Sequence, residues 1–540
     1  MLRREGIARE PIDDRRVLDA LVDRVAARLD GGELDILIND CCFKEEKRLR
    51  KSKNEADRAY LERMRSARRR LAWASKDELR AILKSIVREY AAEIHGHFDP
   101  KVYQTATRVM PKGLALLLRK QAPWAMLTRA LKGDKLSLSD RIVTSGRVEQ
   151  FDKLVEKGTC VLVPTHSSNL DSPVIGFALH DRGLPPMVYG AGINLFSNWL
   201  LSYFMDHLGA YKVDRTKKNA IYLTTLKEYS TYGLEQRWHS LFFPGGTRSR
   251  SGHVETKLKK GLMGTALDAY QGNLRAGASK PNVFFIPATL NYHLVLEAET
   301  LIDDYLQEAG QSRYIIADDE FSRPDKVLGF VRNMMAMTNP IELVFGQPLD
   351  PFGNPVDDDG NSLDPAGRPF DPAGYVMRDG VVVADVQRDR EYTNRLSAAI
   401  GDAFLCDTVV FDTHVLATAM HRRLEAHHPD LDVYRRLLLG ADSRRFPTAE
   451  VDAEIGHLQA ALKTLAGNGR IRLGDVVANA SPADLRVSAL KHFAAYHATC
   501  AVAGEPGGVV LEDPKLALYY AHRLAEHPLP GPLPADRRRS

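Results

Sequence analysis

At 540 residues, with 44% hydrophobic and 27% charged side chains, the chain can bury a large core and divide into two to four structural units. A formal net charge of +4 is slight for this length and argues against nucleic acid as a partner. Cys41, Cys42, Cys160, Cys406 and Cys500 have neither metal-ligand spacing nor an even disulfide framework, which points to a reducing cytoplasm and no bound metal.

Met1–Asp30 carries charge throughout and lacks the apolar centre of a signal peptide. No uncharged apolar run reaches membrane-spanning length, so work on lipids is expected from the membrane surface, peripherally on the cytoplasmic face. From about Val17 to Leu131, apolar residues recur at three- and four-residue intervals, predicting a helical N-terminal region over 1–135. Within it Ala56–Ala72 reads as a solvent-facing helix. Basic residues gather at Lys44–Arg70 and again at Arg248–Lys260. Leu114–Lys120 with Trp124, Leu127, Arg129 and Lys132 is basic and apolar on a helical period, a candidate membrane-contact surface. Leu195–Leu208 is a second candidate, also suited to lining an acyl-chain channel. Ordinary core helices are the plainer reading of both.

Around Val155 the pattern changes to short apolar runs alternating with amphipathic segments. Candidate strands are Thr159–Pro164, Met187–Tyr189, Ala210–Val213, Ser240–Phe243, Val283–Pro287 and Ile341–Phe345, with candidate helices such as Asn219–Tyr232 and Leu262–Tyr270 between them. The alternation predicts an α/β domain over 136–349: a mixed, mostly parallel sheet flanked by helices, with helical N-terminal and C-terminal regions. Asp-Pro-x-Gly recurs at Asp350, Asp364 and Asp371, so 350–380 reads as a loop insertion of successive tight turns. Calcium on Asp357, Asp359 and Asp364 is the alternative, although their spacing departs from the known loop pattern. From Tyr392 the chain is helical again, giving a C-terminal region over 381–527. Pro528–Ser540, rich in Pro and Arg, reads as a disordered tail.

The chemistry concentrates in a few blocks. Thr159–Val163 is an apolar, β-branched run of the kind covered on both faces, and it delivers His166 past its end. A short polar turn leads to Asp171, placed to start a helix with Pro173 in its first turn. A base at a strand terminus with a carboxylate in reach suits proton abstraction. The same spacing at His427 and Asp432 lies between helix-like segments with no strand before it, and reads as a solvated turn. In Phe242–Gly252, consecutive glycines run into hydroxyls and two arginines, a composition suited to anions. Arg215 ends a short strand, and Pro287 terminates another. Cys160 sits inside a strand and reads as structural. The serine hydrolase, zinc protease and P-loop motifs are absent.

His166 with Asp171, Arg215, the Gly246–Ser249 run and Pro287 resemble, in order and spacing, the four blocks of the glycerolipid acyltransferase superfamily. Ala191–Leu195 and Thr408–Ala417 resemble its glycerol-3-phosphate and dihydroxyacetone-phosphate branch more closely than the lysophosphatidate branch. The resemblance spans roughly Val155–Phe345, weaker to about Leu424. It implies His166 and Asp171 as the catalytic pair. It implies Arg215, Gly246, Thr247, Arg248, Ser249 and Pro287 as substrate-binding residues, with the arginines on a phosphorylated glycerol acceptor. Acyl-CoA or acyl carrier protein would be the acyl donor, with no cofactor, and backbone N–H groups near Asp171 would hold the oxyanion. Two positions depart from the family pattern: Gly245 stands where Glu is usual, and Ser167 where the glycerol-3-phosphate branch often has Arg. A lysophosphatidate or other lysolipid acyltransferase, or a non-catalytic lipid- or phosphate-binding relative, are the alternatives.

Overall fold

The computed structural model describes residues 14–31, 33–103, 105, 141–193, 207–309, 341–495, 497 and 499–535. The expected membrane-contact segment 114–132 and most of 195–208 lie outside these residues. Among those described, no helix is long and apolar enough to cross a membrane.

The centre of the molecule is a seven-stranded sheet in the order β1-β7-β6-β2-β5-β3-β4. The strands are β1 (Ile142–Gly146), β2 (Thr159–Pro164), β3 (Val188–Gly192), β4 (Ala210–Val213), β5 (Ser240–Leu241), β6 (Val283–Asn291) and β7 (Ile341–Phe345). β6, β2, β5, β3 and β4 run parallel, while β7 is antiparallel to β6 and carries β1 alongside it. β2 and β6 are buried at every residue, as their near-continuous apolar sequences require of strands covered on both faces. Because five strands share one direction, the segments leaving β2, β4 and β5 emerge at one edge of the sheet. That edge carries His166, Arg215 and Gly245.

Two differences from the sequence reading have physical causes. Pro287 does not terminate its strand: β6 continues to Asn291, and Pro287 still pairs with Val163. Between the pairs Ala288–Phe345 and Phe285–Leu349 the facing chain bulges outward, and the Pro287 carbonyl there accepts the Gly346 N–H. A bulge is where a sheet tolerates proline. β1 escaped the reading because it is a sheet-edge strand with polar Thr144 and Ser145 and no fully buried residue.

Helices cover both faces: α5 (Val148–Lys157), α6 (Asp171–Asp181), α7 (Ala220–Glu235) and α8 (Met263–Arg275). The N-terminal helices are α1 (Asp14–Leu29), α2 (Leu34–Leu49), α3 (Glu55–Arg70) and α4 (Lys76–Ile94). Ser75 and Glu78 close a capping box at the start of α4. Leu21, Val25, Leu83 and Tyr90 from this layer pack with Tyr211, Ile221 and Tyr222 around β4 and α7. α3 is mostly exposed, burying Leu61 and Met64 alone.

The Asp-rich insertion is an array of turns. Asp350, Asp357 and Asp364, spaced by seven residues, each accept two backbone N–H groups through Oδ1 and lead into Gly353, Gly360 and Gly367 at φ +85°, +85° and +76°. Left-handed backbone at those positions calls for glycine. Asp359 pairs with Lys157 and Asp364 with Arg368, so these carboxylates serve turns and ion pairs instead of converging on a cation.

α9 (Ala298–Ala309) precedes the array in the chain, and the longer C-terminal helices follow it. These are α10 (Val386–Cys406), α11 (Asp412–His427), α12 (Thr448–Gly467), α13 (Pro482–Phe493) and α14 (Pro514–Ala521). Leu162 and Ile286 of the sheet share one hydrophobic cluster with Val415, Leu458, Phe493 and Tyr520. The C-terminal helices are therefore packed into the core of the α/β domain. Order continues past Pro528: the Leu533 backbone donates to Glu454 and accepts from Arg423, holding the segment through Ala535 against α11 and α12.

Candidate active site

His166 and Asp171 meet as the local sequence dictates. β2 ends at Pro164, the chain turns through Ser167–Leu170, and α6 begins at Asp171. His166 Nδ1 lies 2.8 Å from Asp171 Oδ2, and the same oxygen accepts the Ser167 and Ser168 N–H groups at 2.7 and 2.9 Å. Asp171 is fully buried, while the His166 side chain keeps 18% exposure. The imidazole stacks on Phe243, with ring centroids 4.1 Å apart. Nδ1–H donation to a buried carboxylate leaves Nε2 as the ring's proton acceptor.

The loop after β5 closes over this pair. The Ser249 N–H donates to the His166 carbonyl at 2.7 Å, and the Lys259 N–H to the Pro244 carbonyl at 2.7 Å, tying the two ends of the loop together. Gly246 takes φ +78°, which glycine supplies at no steric cost. Thr247 is exposed, and the Ser249 hydroxyl donates to the His253 carbonyl within the loop. Arg248 reaches the buried Glu297, Nη1 to Oε1, at 3.2 Å. Arg215 is exposed just beyond β4, at the same edge of the sheet. Pro287 is buried in β6, so it shapes the strand beside β2 and not the surface a substrate would meet.

Several groups escaped the sequence reading. Glu297, just before α9, also accepts the Ser168 hydroxyl at 2.8 Å and the Asn169 N–H at 3.0 Å. Burial raises its carboxyl, and these donors and Arg248 offset part of that. Tyr292 donates to the other oxygen of Asp171, and burial with the Asp171 charge pushes its phenol well up. Burial pushes Glu255 up to about 8, with the Asp171 charge adding to it and the His166 backbone N–H opposing. Arg523, beyond α14, donates to the Leu290 carbonyl and to Asn291, and burial brings it down to about 10. The available signal was an acid set among apolar neighbours, as in Leu294–Ala298.

The four N–H groups just before α6 are already engaged. The N–H groups of Ser167 and Ser168 serve Asp171, that of Asn169 serves Glu297, and that of Leu170 serves the Ser168 hydroxyl. Elsewhere, His427 pairs with Glu450, and Asp432 caps a separate short helix through the Arg435 N–H. Cys160 is fully buried, and desolvation pushes its thiol up.

Among the described residues, His293, Asp412 and His492 form one group with the donor types of a metal site, and Asp14, His95 and His97 another. In the first, Oδ1 of Asp412 faces His293 and accepts the Thr413 N–H, while Oδ2 faces His492 and accepts the Ser488 hydroxyl. Burial alone would raise the Asp412 carboxyl. Hydrogen bonds and charge from the two imidazoles outweigh it and hold the group far below the usual range. Both oxygens are thus taken up in a hydrogen-bonded network beside Tyr292.

A strand-end histidine oriented by a buried aspartate, facing a glycine–arginine loop on an α/β sheet, is an arrangement suited to proton abstraction beside an anionic group. The family model described as Acyltransferase matches residues 145–290, and the curated relatives that resemble this chain over part of its length are glycerol-3-phosphate acyltransferases. A glycerol-3-phosphate acyltransferase of Actinobacillus succinogenes is 32% identical over 158 residues, 28% of this chain and 19% of that protein. One from Haemophilus ducreyi is 27% identical over 202 residues, 37% of this chain and 24% of its own. The chain thus spans about a fifth of the length of these relatives. The solved 1-acyl-sn-glycerophosphate acyltransferase of Thermotoga maritima aligns at 15% identity with 46% of this chain and 72% of its own, at a TM-score of 0.24, too low to bear on the fold.

Proposed function

We propose that the protein transfers a fatty acyl group from a thioester, acyl-CoA or acyl carrier protein, to the hydroxyl of glycerol 3-phosphate in phospholipid biosynthesis. The observation that carries the reading is the His166–Asp171 pair, a partly exposed imidazole held at Nδ1 by a fully buried carboxylate. His166 Nε2 takes the proton of the acceptor hydroxyl as its oxygen attacks the thioester carbonyl. Asp171 holds the tautomer and balances the imidazolium that forms. The thiolate then leaves and takes up a proton, so no covalent enzyme intermediate, metal or cofactor is called for.

Arg248, steadied by Glu297, and Arg215, exposed at the same sheet edge, are suited to the acceptor phosphate. Lys257, Lys259 and Lys260 add positive potential nearby. The acceptor assignment also draws on the printed activity of the relatives. Work at the cytoplasmic face of a membrane, as a peripheral protein, fits a lipid product. The test is release of free thiol from an acyl donor with glycerol 3-phosphate, glycerol or a lysophospholipid as acceptor. Turnover with glycerol 3-phosphate well above that with glycerol is the expected result. Equal rates would overturn the phosphorylated acceptor, and no thiol release with any acceptor would favour a non-catalytic relative.

A further inference from the structure

Gly245 has no room for a side chain, and what fills that room is a carboxyl from elsewhere in the loop. A Cβ built on Gly245 would meet both oxygens of Glu255 at 2.3 Å and its Cδ at 2.4 Å. The Glu255 carboxyl therefore lies against the Gly245 α-carbon. One residue on, a Cβ at Gly246 would meet Lys259 Nζ at 2.5 Å. An acid and a base from the returning half of one loop thus cover two consecutive glycines at the mouth of the site. The loop is closed by the Lys259-to-Pro244 hydrogen bond, so both side chains arrive on a tied frame.

The same loop reaches the backbone of His166. Its carbonyl accepts the Ser249 N–H, and its N–H is near enough to the Glu255 carboxyl to oppose the upward push of burial on that acid. Glu255 Oε2 is buried and has no hydrogen-bond partner among the described residues. Such an oxygen is costly to keep unless its carboxyl does something at that spot.

We infer that Glu255 supplies, from ten positions downstream, the carboxyl that a side chain at 245 would otherwise bring to this pocket, and that it is a positioning residue for His166. Deepening the acyl-transfer reading, this accounts for how the site keeps an acid while residue 245 is glycine. The groups facing Glu255 are Asp171 on α6, Lys259 on its own loop and Arg523 from the C-terminal segment. Held among them, the carboxyl fixes the His166 backbone. The ring is then fixed between Asp171 and Phe243.

The first arm of the test needs no substrate. G245A should lower the melting temperature by ~3 °C or more in the parent and by under ~1 °C in an E255A background, because the three atoms nearest the added Cβ all belong to the Glu255 carboxyl. Equal shifts in the two backgrounds overturn the juxtaposition. The His166 Nδ1–H resonance reads positioning directly: it should stay in place in E255Q and move or vanish in E255A, and an unmoved signal in E255A overturns the role.

The second arm is activity. E255A should lose ~10-fold or more in kcat with both KM values within ~2-fold, E255Q should recover most of that loss, and G245E/E255A should recover part of it by bringing the acid back from position 245. A double variant no faster than E255A rejects the exchange of positions. An inactive parent sinks the acyl-transfer reading, while the melts and the resonance still decide this one.

Discussion

Tyr292, the residue after β6, donates a 2.6 Å hydrogen bond to Oδ1 of Asp171 at the start of α6. The carboxylate is thereby divided: Oδ2 serves His166 and the turn, and Oδ1 is anchored to the segment leaving the neighbouring strand. Removing the phenol leaves a buried charged oxygen unpaired. Tyr292→Phe should cost about 1.5–3 kcal/mol of stability, the range for hydrogen bonds to charged groups. Urea denaturation measures this, and kcat should fall with it as Asp171 loosens. An unchanged midpoint would mean that the bond contributes nothing.

His166→Ala should reduce acyl transfer by about 10²–10⁴-fold, the span of a general base, while circular dichroism stays parental. Asp171→Asn should cost less, since an amide oxygen can still accept the Ser167 and Ser168 N–H groups while the negative charge is lost. His427→Ala loses the pair with Glu450 and a ring contact with Phe446, neither of which touches His166, and should leave kcat unchanged. Measured rates that rank His427→Ala with His166→Ala would reverse the assignment.

Arg248→Ala should raise the acceptor KM about tenfold or more with little change for the donor, because a charge-assisted contact is lost from one substrate. Arg248→Lys should recover little, since an ammonium cannot reproduce the planar fork. Glu297→Gln should raise the same KM by less, by weakening the 3.2 Å tether on Arg248. If donor KM rises instead, this loop serves the donor's phosphates.

Burial, helped by neighbouring positive charge, holds His421 and His522 down at about 4, against an ordinary value of 6.5. The sign follows from linkage: between those values the unfolded chain binds protons that the folded chain refuses. Their contribution is fully present above pH ~6.5 and is lost as pH falls towards ~4. Urea midpoints should therefore be lower at pH 5 than at pH 7.5. His522→Asn, which can keep a donor for the Ser251 carbonyl but does not titrate, should lessen that dependence. An equal drop in both proteins would remove His522 from the account.

The catalytic pair and its setting were legible in the sequence because their geometry is local. An apolar run ending in Pro164, a polar turn and an aspartate five residues past His166 bring the imidazole and carboxylate together with no help from distant chain. The strand Thr159–Pro164 was equally readable, since continuous burial leaves a continuous apolar signature, while Ala210–Val213 and Ile341–Phe345 were readable from short apolar runs holding one charged residue each. The strand order, the bulge that lets β6 run through Pro287, and the entry of the C-terminal helices into the sheet's own core were decided by tertiary packing. So were the partners of the site. Glu297 lies 129 residues from the Ser168 hydroxyl it accepts, and Tyr292 lies 121 from Asp171. In sequence these residues and Glu255 look like any other acid or tyrosine, because burial and pairing across such distances depend on which surfaces the fold brings together. The Asn169 N–H, near Asp171, is likewise taken by Glu297, a partner that only the fold brings there.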